Sequence, residues 1–160
     1  MVDAVEAMTG VRPQIKWPND LVLGGRKLAG LLIETEREEG RLAFAVVGIG
    51  INVRHEEEHF SPEVRSLATS LYLTTGHLYR RADLLVALLR AFENRLSKPF
   101  DEARQAWEAS SLTLGQRVTL TTARGRKHGQ ALGLDKSGAL LLRNDSGEVE
   151  TVTAGDMQAV

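Results

Sequence analysis

Cysteine is absent from the 160 residues. That excludes disulfides, thiolate nucleophiles and cysteine-ligated zinc, and it fits a cytoplasmic setting. An excess of charge of either sign is also missing: 20 Lys and Arg stand against 21 Asp and Glu, for a formal net charge of −1. With no long basic stripe, a nucleic-acid-binding role for this chain has little support. No apolar stretch approaches the roughly 18–20 residues that span a bilayer, and none reads as a signal peptide, so no membrane partner is expected. Proline is scarce, at four residues, and there is no internal repeat or low-complexity segment. What is present is a 42% hydrophobic complement. That is enough for one domain with a real core, or a medium domain and a small one.

The densest chemistry lies in Lys16-Trp17-Pro18-Asn19-Asp20, followed by Gly24-Gly25-Arg26-Lys27-Leu28-Ala29-Gly30. Two lysines, an asparagine and an aspartate surround two tight turns. Pro18-Asn19-Asp20 is turn chemistry and Gly24-Gly25 a hairpin signal. Strands are expected at 12–17 and 21–23. A third, Lys27 to Thr35, is apolar on both faces and reads as central and covered. A fourth runs from Arg41 to Val53. Together they predict an antiparallel meander. In the fourth strand, period-2 alternation puts Gly48, Gly50 and Asn52 on one face and Val47, Ile49, Ile51 and Val53 on the other. Strand interiors seldom carry two glycines unless something needs the room. A flat ring lying against that backbone, with Asn52 as a polar anchor, would need it.

The remainder divides into helices and then a β-rich tail. Residues 2–9 read as the end of an amphipathic helix stopped by Gly10. A short helix or turn is expected over 64–73. Leucines and Phe92 at helical spacing predict a helix over 83–96, with Asp83 as N-cap. A further helix is expected over 100–110, with Trp107 on its apolar side. After residue 111, four short strand candidates at turn-punctuated spacing point to a small barrel or sandwich. The expected division is 1–111 and 112–160.

Each polar motif has a plainer reading beside its functional one. A lysine at a strand end is ordinarily a solvated edge residue. Lys16 and Lys27 together, bracketing Asn19 and Asp20, also suit compact positive charges set against phosphate or carboxylate oxygens. Asn19 and Asp20 are good turn formers; a functional Asp20 would hold magnesium or orient an incoming amine. Gly25-Arg26-Lys27 is not a P-loop, since no Ser or Thr and no helix follows. The 55–59 run of His and Glu reads as a solvated acidic loop rather than a metal cluster. Arg124-Gly125-Arg126-Lys127 reads as a hairpin tip.

Three strings, taken in order and spacing, resemble the catalytic domain of biotin–protein ligases: Lys16 to Asp20, Arg26 to Glu34, and Gly48 to Val53. The tail is similar to that family's small Src-homology-3-like barrel. The resemblance implies an α+β fold: a partial mixed or antiparallel sheet with packed helices, of the class II synthetase-like biotin ligase core, followed by an SH3-like β-barrel. It implies an activity in which biotin and ATP, with Mg²⁺, give biotinyl-adenylate and pyrophosphate. Biotin then passes to a lysine of the biotin carboxyl carrier protein of acetyl-CoA carboxylase. Lys27 would sit by the biotin carboxylate and α-phosphate, and Lys16 would support the phosphate side. Asn19, Asp20 and Asn52 would wall the adenylate and magnesium, with Asp20 near the amine. Gly30, Leu32, Gly48 and Gly50 would line the biotin slot. A lipoate-type ligase and a non-catalytic, residual ligand-binding fragment are the alternatives.

The family's upstream half, with a Gly-Arg-Gly-Arg-type loop that closes over the ligand, has no counterpart in these residues. Arg124-Gly125-Arg126 lies in the tail and cannot serve. The DNA-binding domain found upstream in some members has no counterpart either. The expectation is a chain that begins inside a larger fold and leaves an apolar strand edge open to a second copy or a complementary N-terminal half. The isolated chain is therefore expected to dimerise or aggregate. Sedimentation showing a compact monomer at high concentration would contradict it.

Overall fold

The computed structural model describes the backbone of residues 1–159 and side chains through Met157. Helix α1 (Val2–Thr9) ends, as its sequence predicts, on Gly10 in the left-handed conformation, with the Gly10 N–H returning to the Glu6 carbonyl. Four strands follow: β1 (Gln14–Lys16), β2 (Asp20–Leu23), β3 (Arg26–Glu38) and β4 (Arg41–Ile51). They form one antiparallel sheet in the order β1-β2-β3-β4. Both hairpin turns have two residues with positive φ: Gly24 and Gly25 at 59° and 76°, Glu39 and Gly40 at 50° and 79°. That backbone matches the right-handed twist of the strands it joins.

After β4 the chain makes a short 3₁₀ turn and helices α2 (Pro62–Arg65), α3 (Leu71–Thr75), α4 (Arg81–Leu96) and α5 (Phe100–Ser110). Asp83 is not the N-cap of α4. The helix starts two residues earlier, with Arg80 at the cap, and Asp83 lies in the first turn. There its charge still opposes the positive helix end. Val2, Val5, Leu21, Leu23, Leu28, Leu71 and Leu84 form the first core.

The tail holds five strands, one more than expected: β5 (Arg117–Thr122), β6 (Gly125–Leu134), β7 (Leu140–Arg143), β8 (Val149–Val152) and β9 (Asp156–Ala159). Their order is β8-β7-β6-β5-β9, all antiparallel. The added strand, β9, is short and polar at its start, so its sequence carries little alternation; pairing with β5 makes it a strand. The expected hairpin tip is observed, with Thr122 paired to Gly125. Val118, Leu120, Leu140, Leu142 and Val152 make a second core, joined by Trp17 from the turn between β1 and β2 and flanked by Trp107 of α5. Helix α5 is tied down by Glu108, which accepts from the Leu134 N–H at 3.0 Å while paired with Arg104 at 3.1 Å.

The expectation that β3 is covered on both faces fails beyond Leu31. It is central in pairing, between β2 and β4, yet Leu32 and Ile33 are exposed. So are Leu42, Phe44, Val46 and Ile49 of β4, and Leu85, Leu89, Phe92 and Leu96 of α4. Apolar residues select a buried position only where another element exists to cover them. Among the described residues none covers this part of the hairpin.

A Cβ added at Gly129 would lie 2.4 Å from the Arg143 carbonyl oxygen of the neighbouring strand. Backbone cannot move aside as a flexible side chain can. Gly129→Ala is expected to destabilise the protein by about 1–3 kcal/mol, measured as a lowered midpoint in urea unfolding.

Candidate functional site

Antiparallel register assembles the site. Lys16 pairs with Asp20, Asp20 with Gly30, and Gly30 with Gly50. Cross-strand partners share a face, so one row runs from Lys16 across four strands to Gly50. The adjacent row sets Leu32 against Gly48. Two glycines side by side, with Gly48 one step along, leave a floor made of backbone. A Cβ at Gly50 would meet no atom within 4 Å.

Lys27 reaches this face through an irregularity. Leu21 pairs with Ala29 and Val22 with Lys27, which leaves Leu28 as an extra residue on β3. Strict alternation from Gly30 would put Leu28 on the site face and Lys27 on the other. The bulge reverses this: Leu28 is wholly buried, and the Lys27 ammonium lies 2.6 Å from Asp20 Oδ1. Bulges beside sites commonly re-aim a side chain in this way. The backbone of Lys27 is held on its other edge by Leu67 and Thr69: its N–H donates to the Leu67 carbonyl at 2.7 Å, and its carbonyl accepts from the Thr69 N–H at 2.8 Å. Gly30 leaves room for the ion pair. A Cβ there would come within 3.3 Å of Asp20 Oδ1 and 3.4 Å of Lys27 Nζ.

Lys16 is half-buried and forms no ion pair with any described residue. Its charge is left for an anion. Asn19 is exposed, and its side-chain amide donates to the Leu31 carbonyl, while the Leu31 N–H donates to the Asn19 carbonyl at 3.1 Å. The turn role expected of Asn19 is thus realised, at the rim of the site. Lys16, Asn19, Asp20, Lys27, Gly30, Leu32, Gly48 and Gly50 all line one open groove of about 740 Å³.

Asn52 is the expected site residue that this groove does not include. Its side-chain amide donates to the Thr69 carbonyl at 3.0 Å, and its backbone is bonded to Leu28 and Leu71. The alternation that aligns it with Gly50 is intact, but the Leu67–Ser70 segment continues the edge of β3 beside it and takes up its amide. Three contributors escaped the sequence reading: that segment, the buried Trp17, and Asp156 with Met157, which reach the groove from β9. Thr69 and Ser70 carried a legible cue, since Ser70 caps α3 by accepting from the Leu73 N–H at 3.0 Å. Nothing in the sequence places the start of β9 at the groove. No group of three or more His, Asp or Glu poised to hold a metal occurs among the described residues, so the 55–59 run makes no such cluster there. Among the described residues no helix is long and apolar enough to cross a membrane.

A second cavity, of about 350 Å³, lies on the other face of the sheet, where Leu31, Val47 and Ile49 look toward Leu88 and Phe92 of α4. It is mainly apolar, with the Asp3–Arg95 ion pair in its lining, and carries none of the site's lysines.

Residues 1–52 match the Biotin/lipoate A/B protein ligase family, and residues 113–159 the Biotin protein ligase C terminal domain. The bifunctional ligase/repressor BirA of Bacillus spizizenii is 34% identical over 99% of this chain and 50% of its own length. The chain belongs to the biotin protein ligase family. A biotin–[acetyl-CoA-carboxylase] ligase of Paracoccus denitrificans is 33% identical over 85% of this chain and 59% of its own. The solved biotin protein ligase of Aquifex aeolicus in complex with biotin and ATP superposes with a TM-score of 0.80 at 30% identity, over 98% of this chain and 66% of that one. The α+β core with an SH3-like tail is the fold shared with that enzyme. The chain spans about half the length of the curated relatives it matches.

The glycine floor can be tested directly. Because a side chain at residue 50 meets open space, Gly50→Val is expected to hold stability within about 1 kcal/mol. It should weaken a flat ligand lying there by roughly tenfold to a hundredfold. Calorimetry with biotin on the intact protein checks it; unchanged affinity places the ring elsewhere.

Proposed function

We propose that this chain supplies one wall of a site that activates biotin with ATP and passes it to a lysine of a biotin carboxyl carrier protein. The observation that carries this reading is the Lys16–Asp20–Gly30–Gly50 row with Lys27 swung over it by the bulge. A backbone floor suits a flat bicyclic ring. Two ammonium groups beyond it suit a carboxylate attacking an α-phosphate, where negative charge concentrates between the reacting oxygens. Paired with Asp20 when no ligand is bound, Lys27 would exchange that carboxylate for the anionic reacting centre. The freed Asp20 would then face the incoming lysine amine of the carrier. Lys16, having no carboxylate of its own, would hold the phosphate side.

Mg²⁺ fits this arrangement in a limited way. The described residues offer Asp20 and no three-donor acidic cluster, and magnesium commonly binds through one or two carboxylates plus substrate phosphates. Asp20 is the residue that would share it with the triphosphate. We assign residues 1–111 to the catalytic part and 112–160 to the barrel, with cytoplasmic action. The opposite wall of the groove would come from a complementary upstream half or a second copy. The exposed apolar residues of β3, β4 and α4 and the greater length of the relatives support that reading.

A lipoate-type ligase is the second reading, because the family matched by residues 1–52 is described for both acids. Incubation of the intact protein with ATP, a carrier domain and either biotin or lipoate separates the two. Biotin transfer is expected, and lipoate transfer alone would replace the first reading with the second. Lys27→Ala should lower the rate by roughly 10²–10³. The 160-residue chain by itself is expected to show weak labelling or none. Binding of preformed biotinyl-adenylate without turnover would mark it as a residual binding fragment, and efficient labelling would show that its site is already complete.

A further inference from the structure

Strand β1 has only three residues and forms the rim of the sheet, yet it carries Lys16. Its inner edge is held by β2. Its outer edge meets the segment that leads into the barrel: Ile15 bridges Ser111, and the Leu112 N–H donates to the Ile15 carbonyl at 3.0 Å. Next comes Trp17, which lines the groove in one run with Lys16, Pro18 and Asn19. Its indole is 4% exposed and belongs to the barrel's core, packed with Val118, Leu120 and Leu142. Its backbone N–H donates to Thr113 Oγ1 at 3.0 Å, a buried bond on a fully buried threonine. Met157, in that same core, reaches the groove with its neighbour Asp156.

A tryptophan buried among residues of its own sheet would be ordinary core. This one is buried in the other unit's core, between two residues, Lys16 and Asn19, that both line the groove. We infer that Trp17 is a positioning residue. Held by Thr113 and the barrel core, it sets Lys16 at the height where its ammonium meets the ligand's phosphates, and it couples phosphate binding to barrel docking. The inference rests on the functional reading above for the identity of the phosphate ligand, but its geometry needs only an anion at Lys16.

The Thr113–Trp17 bond can be removed with little change of shape. Thr113→Val keeps the volume and deletes the acceptor, leaving a buried N–H unpaired; Thr113→Ser keeps the acceptor. In the intact protein, inorganic pyrophosphate is the probe, read by calorimetry. Thr113→Val should bind it about tenfold more weakly than the unmodified protein, and Thr113→Ser should restore the affinity. The thermal shift produced by pyrophosphate should shrink in the valine variant, an effect that a uniform loss of stability would not cause. In turnover with biotin and ATP, the KM for ATP should rise while that for biotin is unchanged. Equal pyrophosphate affinities in the three proteins overturn the inference, as does failure of the unmodified protein to bind pyrophosphate. So does a parallel rise of both KM values, which is the mark of a disturbance of the whole groove rather than of its phosphate end. Pyrophosphate binding that follows the Val–Ser pattern without any ligation sinks the functional reading and leaves the positioning role standing.

Discussion

The extra residue in β3 is the constraint on which the site depends. Without a bulge at Leu28, the alternation of β3 would send Lys27 to the opposite face and Leu28 into the groove. With it, one insertion satisfies two demands. A leucine completes the core against α1 and α4, and an ammonium comes within 2.6 Å of Asp20. The arrangement persists because both edges of the strand are bonded there, by β2 on one side and by Leu67 and Thr69 on the other.

A second constraint comes from packing. The first core is complete near α1, β2 and the start of β3, and it thins toward the far end of the β3–β4 hairpin. The site sits at the boundary. Its charged end, at Lys16, Asp20 and Lys27, rests on well-packed elements, whereas its apolar end, at Leu32, is 62% exposed. Preorganised charges need rigid support, and this half of the groove has it from the first sheet and the barrel together. Trp17 is the point where the two supports meet.

Much of this was legible in the sequence where local rules govern. The Gly24-Gly25 turn, the Gly10 stop, the α5 span and the glycine face of β4 follow from backbone preferences and side-chain period, which act within a few residues. Burial was harder to read. The leucine face of α4 and the apolar run of β3 have the period of core elements, but a period states which face is apolar and not whether anything covers it. Asp83 misled for a related reason: it is a good cap, but the helix could begin earlier. Asn52 has the right parity and yet is bonded to Thr69.

By itself the sequence determined the chemical inventory, two lysines, an aspartate and paired glycines, and the family, matched over residues 1–52 and 113–159. Those are properties of residues and of short-range spacing, which folding does not alter. Only the tertiary structure decided which residues share the groove. Strand register put Lys16, Asp20, Gly30 and Gly50 in one row, the bulge turned Lys27 to join them, and the docking of the barrel brought Asp156 and Met157 alongside. Each of these depends on pairing between segments far apart in the chain, and no local period records it.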